Sequence, residues 1–447
     1  MIFSTVLPGQ GAPAFLPLSA TRPAVQPHGL DSLVRLAEVA SPALRAAQAR
    51  LAAARARIRP AGSRSDPMLM AGIVNLPLRQ PNFTADEMTM RMVGLGQTIP
   101  YPGKLGLQRR AAAYEAEAAD AAVAAARLEV ARSVRDAYYD LAYTRQALAL
   151  LDLNRQILAD VVRVADVRYG SGIGRQQDVL QARVETTRVA EMASILLEQQ
   201  RATLAQLNAA LNRASETPLV DADIPERFAR AAVSAEARDV HFLAASLGAR
   251  AAGSPLPSLA ALQALAGEAS PVLRQQEAMV AAQAVRAEFA RTDYKPDFDV
   301  SVQYGQRLGR PDMVTAQVSV PLRLQNSARQ KPQVAEARAE LAALESDYVV
   351  ARNGLNAEVA RLLGLAEQSR TLLALYTVGI LPQGRAAVAA ALAGYRNSQA
   401  DMGTVFTTES ALLASELSYV RAMTDFAKAI AALEQVTGSS VLPEERP

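Results

Sequence analysis

Histidine and cysteine, the side chains that most often bind metals or act as nucleophiles, are almost absent from this chain of 447 residues. His28 and His241 are its only histidines, and neither has a carboxylate or a second histidine at ligand spacing. Each is interpreted as a single solvent-exposed histidine. The absence of cysteine excludes disulfides, thiolate metal sites and cysteine nucleophiles. We therefore expect no metal site and no cofactor.

Catalytic and nucleic-acid-binding functions are not indicated either. The sequence has no Gly-rich phosphate loop, nucleophile elbow or histidine–carboxylate motif, so we do not expect an enzyme. Its net charge of +3 is too small over this length to attract nucleic acid. Half of the residues are hydrophobic but only 5% are aromatic, which predicts a helical protein rich in alanine and leucine.

An internal repeat indicates how the chain is organised. ASPALR at Ala40–Arg45 recurs as ASPVLR at Ala269–Arg274, and Pro67 and Pro296 follow at the same offset. The order helix, two strands, long helix, turn, helix is therefore predicted twice. The predicted segments are an N-terminal extended segment (1–29, the remnant of a signal region), a first repeat (30–213, with a β-hairpin near 67–99 and a helical hairpin near 103–213), a linker (214–256), a second repeat (257–440, with a β-hairpin near 297–322 and a helical hairpin near 330–437) and a tail (441–447).

The strands of the second repeat alternate between apolar and polar residues, so each is predicted to have two different faces. Phe298, Val300, Val302, Val314, Val318 and Val320 form the apolar face. The polar face consists of Asp299, Ser301, Gln303, Thr315, Gln317 and Ser319. Strands of about nine residues are long enough to cross a bilayer at a tilt. The first repeat is rich in Met and Gly and has a longer loop. Four strands cannot close a barrel, so other chains or a covering layer must complete the hairpins.

The helical tracts are too long for a compact domain of this size. From Lys104 to Tyr169 the only helix breaker is Gly106, and about 60 helical residues would span roughly 90 Å. Apolar residues at spacings of three and four suit lateral, coiled-coil packing. The first hairpin tip is predicted at Tyr169, Gly170, Gly172 and Gly174, and Tyr395 is the counterpart of Tyr169 in the second repeat. Pro382 is expected to break or kink the second helical tract.

The stretch QTIPYPGK joins the second strand to the first long helix. Pro100 and Pro102 cannot donate ladder hydrogen bonds and fix two φ angles, and Gly103 relaxes the turn. Pro321 is their counterpart in the second repeat. These residues predict a rigid corner between strand and helix.

Two copies of this arrangement, with GLGQTIPYPGK closing a strand and RYGSGIGRQQDVLQARV at a hairpin tip, resemble the TolC-type outer-membrane efflux proteins. The corner is most similar to the outer-membrane components of heavy-metal efflux systems. The resemblance implies a mainly α homotrimer, with a helical tunnel in the periplasm and four strands per chain in a twelve-stranded barrel. It also implies contact with outer-membrane lipid, a periplasmic membrane-fusion adaptor and an inner-membrane pump of the RND type. The polar strand face would line the lumen, and Lys104, Arg109 and Arg110 would sit near the inner membrane surface.

In that family the resting channel is closed at the periplasmic hairpin tips, just after the turn. Asp178 matches the constricting position in the first repeat and Thr404 in the second, and Gln177, Gln181 and Asp401 are further gate candidates. Three copies of Asp178 would form a ring of carboxylates that favours cations. A structural alternative is equally open, in which Asp178 caps or occupies the first turn of its helix.

The competing hypothesis is a non-channel coiled-coil scaffold or adaptor, soluble or periplasmic, whose hairpins pack against helices. The first 20 residues lack a positive n-region, so the sequence does not settle whether the protein is exported. No run of 18 or more apolar residues occurs, so no helical membrane span is expected. Substrate identity does not follow from the sequence.

Overall fold

The structure is a computed structural model of the chain. It describes residues 29–78, 82–84, 86–219, 222–225, 228, 256–322, 327–397 and 399–442. Both histidines, the predicted N-terminal segment up to residue 28 and most of the predicted linker lie outside the described residues.

Among the described residues, the first half of the chain contains four helices and two strands, namely α1 (Leu30–Ala40), α2 (Pro42–Ala61), β1 (Met68–Val74), β2 (Met90–Ile99), α3 (Lys104–Gly170) and α4 (Gln176–Ala210). The second half has the same order, namely α5 (Leu259–Ala269), α6 (Pro271–Thr292), β3 (Phe298–Gln306), β4 (Met313–Ser319), α7 (Gln330–Leu375), a π-helical turn (Tyr376–Ile380), α8 (Leu381–Arg396) and α9 (Met402–Thr437). The predicted fold class, mainly helical with a small β part, is confirmed.

The repeated hexapeptide is a helix start that is used twice. Ser41 is the N-cap of α2, and its hydroxyl accepts a hydrogen bond from the backbone N–H of Leu44. Ser270 caps α6 in the same way through Leu273. The proline after each serine occupies the first helical turn, where a missing N–H costs nothing. The repeat therefore reflects one local rule that ends one helix and starts the next.

Lateral packing along the 67-residue helix α3 holds the two halves together. At 1.5 Å per residue, α3 is about 100 Å long. It packs on α2 and α6 near the sheet, on α4 over its distal part, and on α9. Its buried residues recur every three or four positions, as in Val130, Val134, Tyr138 and Leu141. The central core contains edge-to-face aromatic contacts from Tyr139 through Phe228 to Phe426.

The four strands form one antiparallel sheet in the order β1-β2-β3-β4. β2 pairs with β3, so the hairpins of the two halves are joined edge to edge, with Leu95 opposite Val302. Within the described part of the chain, β1 and β4 each have one unpaired edge. One chain therefore provides an open four-stranded sheet.

Pro382 does not break the helix. The π-helical turn Tyr376–Ile380 connects α7 to α8, and the Leu381 N–H bonds the carbonyl of Tyr376, five residues earlier. Helical structure therefore continues from Gln330 to Arg396, because the wider turn accommodates a proline that has no N–H to donate.

This same stretch, Gln330–Arg396, contains the one window among the described residues that is long and apolar enough for a membrane-crossing helix. The sequence predicts no such helix, because it has no uninterrupted run of 18 or more apolar residues. Part of this stretch packs on α9, so lateral helix packing accounts for some of its apolar residues.

Candidate functional site

The sheet has two chemically different faces, which the pairing register defines. We call the first the aliphatic face, which consists of Leu69, Ala71, Ile73, Arg91, Val93, Leu95, Gln97, Ile99, Phe298, Val300, Val302, Tyr304, Gln306, Val314, Ala316 and Val318. Its large side chains are exposed, with Leu69 at 72%, Leu95 at 57% and Val314 at 70% of their maximum accessible surface. No described helix covers them, so this face lacks the partner that the scaffold hypothesis requires.

The second face, which we call the mixed face, carries all six residues of the predicted polar face. Facing pairs join Asp299 to Ser319, Ser301 to Gln317 and Gln303 to Thr315. Thr98 extends this set into β2, since its hydroxyl donates a 2.6 Å hydrogen bond to a carboxylate oxygen of Asp299. The register therefore places the predicted residues on one face. Whether that face lines a lumen stays a prediction.

The first hairpin continues the mixed face mainly with methionine and glycine, a placement on one face that the sequence did not indicate. Its members are Met68, Met70, Gly72, Val74, Met90, Met92, Gly94 and Gly96 from β1 and β2, with Gly305 and Met313 from β3 and β4. Alternation is the available signal, because Met or Gly stands at alternate positions from Met68 to Gly72 in β1 and from Met90 to Gly96 in β2. Since neither residue type is strongly polar, that alternation was not recognised.

A buried lysine fixes the corner between sheet and helix. Lys104 is only 3% exposed, and its Nζ lies 3.0 Å from Asp293 and 2.9 Å from Asp297. The backbone N–H of Tyr101 also donates a 2.8 Å hydrogen bond to Asp297. Gly103 has a φ of +97°, in the left-handed region that a side chain disfavours. We call Tyr101, Gly103, Lys104, Asp293 and Asp297 the corner joint.

The corner joint gives Lys104 partners that the sequence did not indicate, and it follows the predicted prolines. Lys104 is not a free basic side chain, because two carboxylates from the second half of the chain bind it in the interior. Whether it lies near the inner membrane surface stays a prediction. Arg110 remains exposed, 3.9 Å from Glu288. Pro100 and Pro102 stand between β2 and α3, as predicted. In the second half, Pro321 follows β4 and is exposed, but residues 323–326 lie outside the description.

At the opposite end of the long helices, glycines shape the first hairpin tip. Gly172 has a φ of +76°. A Cβ on Gly174 would lie 2.8 Å from the backbone nitrogen of Tyr169, and the Gly174 N–H bonds the Arg168 carbonyl. Gly170, in contrast, has open space around its Cα. Gly172 and Gly174 are therefore required for the turn, and Gly170 is not.

The tips of the two halves meet at Tyr395, which is 4% exposed although its sequence counterpart Tyr169 is 49% exposed. The Tyr395 hydroxyl donates a 3.4 Å hydrogen bond to Asp178. The Arg168 guanidinium lies 4.7 Å from the ring centroid and donates to the carbonyls of Tyr395 and Arg396. Burial, and then the charge of Asp178, raise the pKa of Tyr395, so the phenol stays a neutral donor. We call Arg168, Asp178 and Tyr395 the tip joint.

The remaining gate candidates have separate environments. Asp401, rather than Asp178, is an N-cap, since its carboxylate accepts hydrogen bonds from the Thr404 backbone N–H at 2.8 Å and hydroxyl at 2.6 Å. Those bonds lower the pKa of Asp401. Asp178 lies in the first turn of α4, where its charge suits the helix dipole. Gln177 and Gln181 line a groove between α4 and α9.

Glu409 is a buried acid that no sequence motif indicated. It is 7% exposed on α9, and its carboxylate accepts a 2.8 Å hydrogen bond from the side-chain amide of Asn154 on α3. Burial, followed by the charge of Glu416, raises the pKa of Glu409. This contact links the two halves between the corner joint and the tip joint. Among the described residues, no group of three or more His, Cys, Asp or Glu side chains is placed to hold a metal ion.

Comparison with known proteins identifies this architecture. Residues 33–213 match the family model described as outer membrane efflux protein. The resemblance to outer-membrane efflux proteins is confirmed. No curated protein sequence matches the chain.

Solved structures of outer-membrane proteins and channels share the fold over nearly the whole chain. VceC from Vibrio cholerae has a TM-score of 0.75 at 20% identity, with 92% of this chain and 96% of that chain covered. The outer-membrane channel OprN has a TM-score of 0.73 at 19% identity, with coverages of 93% and 91%. CusC has a TM-score of 0.74 at 15% identity, with both coverages 92%. The predicted closeness to heavy-metal efflux components stays a prediction.

Proposed function

We propose that this protein is the outer-membrane channel of a tripartite efflux system, through which substrates pass passively from an inner-membrane pump and a periplasmic adaptor to the exterior. The exposed aliphatic face of the sheet carries this proposal. Water would penalise its large side chains at about 25 cal/mol per Å² of apolar surface, whereas lipid would not. Among the described residues, no helix covers this face in place of lipid.

The unpaired edges of β1 and β4 support a trimer. An edge of free N–H and C=O groups in a bilayer costs several kcal/mol per group, so a membrane sheet must close. Three copies would supply twelve strands, an even number that closes a barrel with the aliphatic face outward and the mixed face inward. The helices would then form the periplasmic tunnel. An RND-type pump and a membrane-fusion adaptor are the partners that the family resemblance implies.

Gating at the tips is the second part of the proposal. The tip joint connects the two halves of one chain through the 3.4 Å hydrogen bond from Tyr395 to Asp178 and through Arg168, which lies over the Tyr395 ring and donates to the carbonyls of Tyr395 and Arg396. Such a contact can break without leaving a buried ion unpaired. In the closed channel, Asp178 and the exposed Thr404 would stand at the constriction.

Adjacent residues of β3 offer a matched test of the channel. Val302 lies on the aliphatic face and Ser301 on the mixed face. We expect Val302→Lys to reduce recovery of trimer from outer membranes, because a lysine facing lipid near the midplane costs about 2–4 kcal/mol. Ser301→Lys should still assemble and should lower cation conductance in planar bilayers.

The scaffold hypothesis predicts a different outcome. Recovery of wild type as a soluble monomer without detergent, or equal tolerance of both lysines with no pores formed, would contradict the channel. Pores of unchanged ion preference in Asp178→Ala would remove only the gate assignment.

A further inference from the structure

Five of the chain's eleven methionines lie on the four strands, and all five are on the mixed face. They are Met68, Met70, Met90, Met92 and Met313. The aliphatic face, which needs apolar side chains, contains none. Successive side chains of a strand point to opposite faces of the sheet. The large apolar residues of the mixed face are therefore mostly methionine, whereas those of the aliphatic face are mostly Leu, Ile and Val.

Gly305 is the centre of the densest part of this set. The register places Met92 of β2 directly opposite Gly305, and Met313 of β4 directly opposite Gly305 from the other side. The three positions therefore form one row across three strands, in which the middle position has no side chain. Neighbouring strands are about 4.8 Å apart, so the two methionine backbones are separated by about 10 Å with free space between them.

Met90 fills that space with its sulfur. A Cβ built on Gly305 would lie 2.5 Å from the Met90 Sδ, so the thioether occupies the volume that any other residue at 305 would use. Gly305 is buried as a result, although it lies on a water-facing side of the sheet in the proposed channel. Met70 lies over Gly96 in a similar way, because its methyl group is 3.1 Å from the position that a Cβ on Gly96 would take. Glycine thus makes room for thioethers at two places.

We propose that Met90, Met92 and Met313 form a binding site for soft, monovalent d¹⁰ cations, Cu(I) or Ag(I), over Gly305. Thioether sulfur selects soft cations and binds Zn(II) or Mg(II) poorly. Methionine has three flexible side-chain torsions, so sulfurs on adjacent strands can converge without backbone change. Three uncharged ligands give a site that releases its ion, as conduction requires.

The site lies at the loop end of the sheet, where β2 and β4 begin and β3 ends, far from the corner joint. On the proposed function, on which this location in the pore rests, it would be at the outer mouth, once in each subunit. Binding itself needs only the sheet.

The test uses the full-length protein purified in detergent and titrated with silver nitrate in chloride-free buffer by calorimetry, with zinc acetate as the comparison ion. The test variant is Met90→Leu/Met92→Leu/Met313→Leu, since leucine conserves apolar volume and removes sulfur. The matched control, Met192→Leu/Met279→Leu/Met423→Leu, removes the same number of sulfurs from helices. We expect the test variant to bind Ag(I) at least tenfold more weakly than wild type and the control variant to bind it as wild type does. Zn(II) should bind to neither variant.

Two results would overturn the site: Ag(I) binding that survives the test variant, or equal losses in both variants. Met90→Leu alone and Gly305→Ala, which would displace the Met90 sulfur, provide a second measure if the triple variant does not fold. Bilayer conductance of the same samples separates this inference from the proposed function. If the protein forms pores but its silver binding does not depend on the thioethers, only the proposed site is disproved. If it binds silver through the thioethers but forms no pores, only the channel function is disproved.

Discussion

The corner joint and the tip joint both connect the two halves of the chain, but they do so with different physics. At the corner, one lysine that is 3% exposed binds two carboxylates at 2.9 and 3.0 Å. At the tip, one phenol meets one carboxylate at 3.4 Å, and an arginine lies over the ring. A buried ion whose partners are removed is severely destabilised, whereas one long hydrogen bond to a partly exposed carboxylate contributes less. We therefore expect the corner to be a fixed joint and, on the proposed function, the tip to be a releasable one.

The largest expected effect comes from breaking the fixed joint. Lys104→Met removes the cation that Asp293 and Asp297 share, and we expect a loss of about 2–3 kcal/mol in the free energy of unfolding, because the two carboxylates that remain are only partly buried. Thermal dissociation of the detergent-solubilised protein measures this loss.

Arg110→Met is the matched control, because Arg110 and Glu288 are both more than half exposed. The control should change stability by less than about 1 kcal/mol. Equal effects of the two substitutions would mean that Lys104 contributes through its aliphatic stem and not through its charge.

The backbone of the corner joint gives the next effect. Gly103→Ala forces a side chain into φ +97°, and we expect a loss of about 1–2 kcal/mol. Gly106 lies three residues later, inside α3, with open space around it. Gly106→Ala should stabilise the protein by up to about 1 kcal/mol. If Gly103→Ala is neutral in the same thermal assay, the corner is not held rigidly by its turn.

A smaller effect on stability is expected at the tip, with a larger effect on function. Tyr395→Phe removes the hydrogen bond to Asp178 and keeps the ring beside Arg168, so the loss should be about 1 kcal/mol or less. We expect bilayer recordings to show a higher open probability. Asp178→Asn retains an acceptor and should resemble wild type more closely.

Tyr169→Phe controls for loss of a hydroxyl, because Tyr169 is the exposed counterpart. The releasable joint is disproved if Tyr395→Phe and Tyr169→Phe have the same open probability.

The smallest effect is a pH dependence at Glu409, between the two joints. Burial raises the pKa of Glu409 in the folded protein, so its contribution to stability is present below the unfolded pKa near 4.5 and is lost as pH rises through the folded value. Glu409→Gln cannot ionise and can still accept the Asn154 hydrogen bond. We expect it to melt higher than wild type at pH 8, with the difference declining toward pH 4. A difference that does not vary with pH would exclude ionisation as the cause.

Much of this architecture follows from local sequence rules. The serine–proline pair predicts the starts of α2 and α6 because both residues act within one turn. The scarcity of helix breakers after Gly103 predicts α3, and the alternation in DFDVSVQYG predicts the two faces of β3. The first hairpin was harder, because Met and Gly do not mark a face as apolar or polar. Its faces became clear only when the register aligned Gly94 with Gln303 and Met92 with Gly305.

The sequence alone determined the duplicated order of elements, the length of the helices, the rigid corner and the tip glycines, since each depends on neighbours within a few residues. Only the tertiary structure decided the partners. Lys104 is 189 residues from Asp293, and Asp178 is 217 residues from Tyr395. Tyr169 and Tyr395 occupy equivalent places in the repeat, yet one is exposed and the other buried. A repeat specifies similar elements, but packing two copies against each other gives each copy different neighbours, and those neighbours determine which residues can bind, lock or move.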